Sequence, residues 1–183
     1  MKRLAPLFPA LLAAPVFAAD CPPAPDHSAA LDDLYLSVQA ASSQNEARAI
    51  SNQMWEFWAD APDEAAQELL DSGMQKRASY DFLGALEDFD RLIAYCPDYA
   101  EGYNQRAFVN YLRQDYASAL PDLDEALKRS PRHVAAMSGR ALTLLGLGRP
   151  NDARVQLEAA LEINPWLTER SLLPGLKSLG QDI

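Results

Sequence analysis

An all-α fold, a short α-solenoid of three helical hairpins, is what this 183-residue sequence predicts, and three observations carry it. Pro97, Pro131 and Pro165 stand 34 residues apart, twice in succession. Sliding the chain by that period superposes small residues (Gly73, Ala107 and Ala141; Ala85, Ala119 and Ala153) and bulky ones (Phe89, Leu123 and Leu157). Within each segment apolar residues recur at helical spacing, as in Ala119, Leu120, Leu123, Ala126 and Leu127. Antiparallel helices approach closely only where side chains are small, so the small columns mark crossings and the bulky column fills the space between units. Proline ends each second helix, because it cannot continue one and restricts the residue before it.

From the N-terminus, residues 1–19 read as a secretory signal peptide: Lys2 and Arg3 precede an apolar run from Leu4 to Ala19. Broken by Pro6, Pro9 and Pro15, that run is too short to span a membrane, which takes about 20 residues. Cleavage after Ala18 or Ala19 predicts a periplasmic protein with no membrane insertion, and Asp20 before Cys21 argues against lipid attachment. Residues 20–30 form a Pro-rich leader. Residues 31–62 predict two helices broken near Ser42-Ser43-Gln44-Asn45, with Pro62 35 residues before Pro97 and Ile50, Met54 and Phe57 near the offsets of later core positions. They read as a degenerate hairpin that caps the apolar end of the first unit, Trp55 and Trp58 supplying its bulk. The three units are framed at 66–99, 100–133 and 134–167. Residues 168–183 hold a capping segment and a tail, with a short closing helix over Trp166 to Leu173 stopped by Pro174-Gly175.

Within that frame, Tyr103-Asn104-Gln105-Arg106-Ala107 and Asp115-Tyr116-Ala117-Ser118-Ala119-Leu120 resemble the tetratricopeptide repeat (TPR) family, whose 34-residue helix-turn-helix unit has these small, bulky and proline positions. The resemblance covers residues 66–167. Lys76 departs from it where an apolar residue is usual, and Pro150 precedes the third unit's second helix, where an early helical position tolerates it. The resemblance implies a right-handed superhelix whose concave surface, built from the first helices, receives an extended peptide or a partner helix. The residues it assigns to that surface include Leu70, Met74 and Arg77, then Glu101, Asn104, Phe108 and Tyr111, then Ser138, Leu142 and Leu145. Asn104 is expected to bond a partner backbone, and Phe108 and Tyr111 to serve as aromatic anchors. One subtype clamps a C-terminal carboxylate with basic and amide residues. The matching places here are Leu70, Met74, Gln105, Ala135 and Gly139, which lack positive charge, so no such clamp is expected and the groove reads as apolar to mildly acidic.

Charge narrows the partners. Without Lys2 and Arg3 the chain has 14 basic against 26 acidic residues, a net charge of −12 that disfavours nucleic acid and anionic membrane surfaces. Asp88 with Asp90 and Asp122 with Asp124 sit in matching places one unit before Arg106 and Arg140, a pattern of ties between repeats. Cys21 and Cys96 are either a bridge, which export would permit, or two unpaired thiols. Nothing points to catalysis, a metal or a cofactor: His27 and His133 are isolated, and Gly146 and Gly148 fall in a turn between helices, not in a phosphate loop. The reading is a non-catalytic scaffold or adaptor for a protein or peptide partner in the periplasm. The alternatives are a self-associating protein using Trp55, Trp58 or Trp166, a homo-oligomer, and an accessory subunit of an envelope complex.

Overall fold

The structure, a computed structural model, describes residues 20–179; the signal-peptide reading of 1–19 lies outside them, as do residues 180–183. Among the described residues all regular structure is helical. The helices are α1 (Ser28–Ala40), α2 (Gln44–Trp58), α3 (Glu64–Ala78), α4 (Phe82–Tyr95), α5 (Ala100–Leu112), α6 (Tyr116–Arg129), α7 (Val134–Gly146), α8 (Pro150–Ile163), a 3-10 turn (Thr168–Leu172) and α9 (Leu173–Leu179). The pairs α3–α4, α5–α6 and α7–α8 are antiparallel hairpins stacked in chain order, with α4 on α5 and α6 on α7.

Local chemistry sets the hairpin ends. Asp63, Asp81 and Asp115 each accept a backbone N–H three residues on, which satisfies one of the orphan donors of a first turn. Between the two helices of each unit the chain makes its sharp turn through a left-handed residue, and those residues, Tyr80, Gln114 and Gly148, keep the 34-residue period. The cores follow the columns. Ala85, Phe89 and Leu92 fill the first unit, Ala107, Ala119 and Leu123 the second, and Ala141 and Leu157 the third.

Two expectations are corrected. The N-terminal hairpin α1–α2 makes no extended contact with α3 and does not cap the first unit. It lies along the row of turns that join one repeat to the next and reaches the far end of the stack. There Tyr35, Val38, Met54 and Trp58 share an apolar cluster with Val134, Ile163, Trp166 and Leu167. Tyr35 donates to the Arg132 carbonyl (2.9 Å), Gln39 to that of Glu162 (2.9 Å) and Gln44 to that of Trp166 (2.9 Å). The physical reason is that proline turns leave carbonyls without helical partners, and the hairpin supplies the donors. After α8, Pro174 does not stop a helix. It stands in the first turn of α9, where its missing N–H costs nothing, and α9 covers the third unit by burying Leu176 against Ala141 and Leu157.

Cys21 and Cys96 form a disulfide, with Cα atoms 5.2 Å apart, that ties the leader to the end of α4. Next to it His27 stacks on Phe57 (4.6 Å) and bonds Asp60 (2.6 Å), so the leader is fixed at both ends.

Candidate functional site

The inner helices α3, α5 and α7 form a concave surface, and α2 stands across it as a further wall. Between them lies a cavity of about 480 Å³. α2 contributes Ala47, Arg48, Ser51 and Trp55, α3 contributes Arg77, and α5 contributes Asn104, Gln105, Phe108 and Tyr111. α7 adds Ser138, Leu142 and Thr143, and the turn after α8 adds Asn164, Trp166 and Glu169. The wall is held in place by Gln44 on the Trp166 carbonyl and by Asn164, which donates to Ser51 Oγ (3.1 Å).

Beneath the cavity runs a buried polar chain. The Arg77 guanidinium donates to Gln105 Oε1 and lies 4.7 Å over the Phe108 ring. Gln105 and Asn104 in turn donate to the Glu101 carboxylate, 2.5 and 3.1 Å away. His133 closes the chain: its Nδ1 accepts the Ala136 amide hydrogen, so the ring proton sits on Nε2 and is donated to Glu101 Oε2 (2.7 Å). On its open face His133 stacks against Trp58 at 4.0 Å, which carries the chain from the groove into the N-terminal hairpin. Every hydrogen-bond acceptor of a buried carboxylate left unmet would be costly, and Glu101 meets an imidazole and two amides.

Burial pushes the Arg77 guanidinium down from its ordinary range, opposed by the Glu101 charge. Burial also raises the Tyr111 phenol, helped by Tyr116 and Glu169. Among the described residues no cluster of His, Cys, Asp and Glu could hold a metal ion.

The tetratricopeptide repeat family matches residues 111–165. A TPR repeat-containing protein of Rhizobium etli is 29% identical over 138 residues, 74% of this chain and 66% of that one. Human tetratricopeptide repeat protein 36 is 33% identical over 122 residues, 64% of this chain and 65% of its own length. The chain thus spans just under two thirds of either relative. In fold, the first TPR of Spaghetti (RPAP3) superposes with a TM-score of 0.63 at 18% identity, covering 65% of this chain and 95% of that one. Residues 111–165 are tetratricopeptide repeat sequence, and the stack has the fold of TPR domains. TPR domains generally mediate protein–protein interaction and are typically non-catalytic.

In this TPR stack Arg77, Asn104, Phe108, Tyr111, Ser138 and Leu142 do come together around one cavity. Four residues assigned to the groove do not: Leu70 and Leu145 pack into the cores of the first and third units, and Met74 and Glu101 are also turned away. Met74 packs against the core of the first unit, and Glu101, only 1% exposed, is enclosed by its amide and imidazole partners. The groove is largely apolar, as expected, but it is not acidic, since two arginines line it against one carboxylate. The charge columns divide. Arg106 meets Asp90 (2.7 Å) and Arg140 meets Asp124 (2.7 Å) across units, as expected. Asp88 and Asp122, expected to do the same, bond within their own hairpins: Asp88 with Ser72 and Lys76, Asp122 with Arg106. The first aspartate of each pair points back to its own first helix, 16 residues upstream, and only the second reaches the next.

Sequence reasoning missed Arg48, Thr143 and Asn164, and assigned Trp55 to an end cap when it lines the cavity. No signal in the repeat register could place Arg48 and Trp55, because they join the site only once α1–α2 crosses the stack, whereas Thr143 and Asn164 belong to the last repeat itself.

Proposed function

We propose that this protein is an exported adaptor that holds a segment of an envelope partner along the mouth of the groove. One observation carries the reading: Phe108 and Leu112, large apolar side chains one helical turn apart on α5, are 43% and 41% exposed, with Tyr111 beside them. Exposed aromatic and aliphatic side chains beside buried amides are the composition of a docking strip. The solved TPR domain of Spaghetti named above is bound to an HSP90 peptide, which supports a peptide-sized partner for the same fold. Export is supported by the apolar run after Lys2 and Arg3 and by the Cys21–Cys96 bridge, a bond that persists in oxidising compartments.

Because α2 walls one side of the groove, the partner segment approaches from the mouth and does not thread the solenoid. The self-association reading loses its surface: Trp58 is buried against His133, while Trp55 and Trp166 face the cavity. A photoreactive residue at Tyr111 should capture a partner from envelope extract that one at Val155, on the outer face of α8, does not. Phe108→Ala with Leu112→Ala should abolish that capture. Equal capture at both positions, or capture that survives the double substitution, overturns the proposal.

A further inference from the structure

We infer that the cavity behind the docking strip is a binding site for a small organic anion with an aromatic or branched apolar body. Its volume of about 480 Å³ is within the range of small-ligand sites, roughly 300–1,000 Å³. Compact ligands suit it better than extended chains, because α2 and the turn after α8 are bonded to one another along one side.

Charge fixes the sign of the ligand. Arg106, Arg129, Arg140 and Arg154 are partly buried, and each faces a carboxylate. Arg77 is comparably enclosed and has only an amide oxygen and an aromatic face. Arg48 reaches the same cavity from α2, and neither arginine has a described carboxylate in ion-pair range. Two unmatched cations around an enclosed space, in a protein of net charge −10, are the electrostatic complement of an anion. Glu169 at the edge and Glu101 beneath the cavity, whose charge acts on Arg77, are the opposing charges, and neither makes an ion pair with Arg77 or Arg48.

A second, independent observation points the same way. Thr143 is fully buried, lines the cavity, and its hydroxyl has no hydrogen-bond partner among the described residues. A buried hydroxyl left so costs free energy unless something else satisfies it, and a ligand oxygen satisfies it once the lining over Thr143 shifts to admit contact. Trp55, Phe108, Leu142 and Trp166 supply the walls for the apolar body.

The site goes beyond partner docking and can be tested apart from it. The probe is 8-anilinonaphthalene-1-sulfonate, compared with N-phenyl-1-naphthylamine, the same skeleton without the sulfonate, by fluorescence titration of the full chain. The anion should saturate a single site per chain. Arg77→Gln and Arg48→Gln should each weaken it, Arg77→Gln by about tenfold or more, while Arg113→Gln, outside the cavity, should not. The neutral probe should be insensitive to all three. Arg48 is exposed, so its substitution reads the site even where Arg77→Gln impairs folding, and a melting curve on each variant separates the two. Absence of a saturable site, equal losses for both probes, or unchanged sulfonate affinity in both cavity variants overturns the inference. Capture at Tyr111 is unaffected by any of these results.

Discussion

Gly73 and Phe89 show how a single residue is chosen by the one it meets. A Cβ built on Gly73 would lie 2.5 Å from the Phe89 ring, far inside contact distance. The matching positions in the next two units pair Ala107 with Leu123 and Ala141 with Leu157, so the small side gains a methyl where the large side loses its ring. Gly73→Ala should therefore cost about 1–3 kcal/mol by overpacking, and much of that cost should vanish in a Phe89→Leu background. A double-mutant cycle by urea unfolding reads the coupling, and additive effects would contradict it. The left-handed turn offers a second check. Gly148→Ala should destabilise by about 1 kcal/mol, whereas Gln114→Gly should be neutral or stabilising, because the penalty at φ 61° is already present in the native residue.

Between helices, spacing of 16 residues governs the polar contacts as well as the packing ones. Arg106 grips the largely buried Asp122 through two bonds and also reaches Asp90, whereas Arg140 has the exposed Asp124 and the neutral Gln156. Arg106→Met leaves a buried carboxylate unpaired and should cost about 1–3 kcal/mol. Arg140→Met, whose partners stay solvated, should cost under about 1 kcal/mol by the same urea titration. Asp88 adds a pH dependence. Burial pushes its carboxyl up, but hydrogen bonds from Lys76 and Ser72 outweigh this and hold it below the usual carboxylate range. Its stabilisation is thus fully present above about pH 4 and is lost as pH falls through the lower folded value. Asp88→Asn should flatten the acid limb of a plot of melting temperature against pH; an unchanged limb would remove Asp88 from it. These contacts were half legible in the sequence. The 34-residue period located both aspartate columns and both arginines, but period alone does not say that residues two apart on a helix, Asp88 and Asp90, turn to different neighbours.

Across the whole molecule, the stacking of helical hairpins could be read from pattern, because stacked hairpins repeat their own contacts. The path of α1–α2 could not. Helical periodicity shows that Val38, Met54 and Trp58 need burial, yet any apolar surface would meet that need. The surface they find, at Val134, Ile163 and Trp166, lies about a hundred residues away in the chain. That return wraps the stack, builds the cavity wall and places Trp58 on His133 at the end of the buried polar chain. The Cys21–Cys96 bridge, 75 residues in span, restricts the unfolded chain, so reduction or Cys21→Ser with Cys96→Ser should lower unfolding free energy by roughly 2–4 kcal/mol in urea. Equal stability with and without the bridge would contradict that. The return itself is open to a single observation: nuclear Overhauser contacts between the Trp58 indole and the His133 imidazole, stacked 4.0 Å apart in the structure. Strong cross-peaks between these two rings are expected. Their absence, with Trp58 showing contacts to α3 instead, would mean that the hairpin caps the first repeat and that the cavity has no wall.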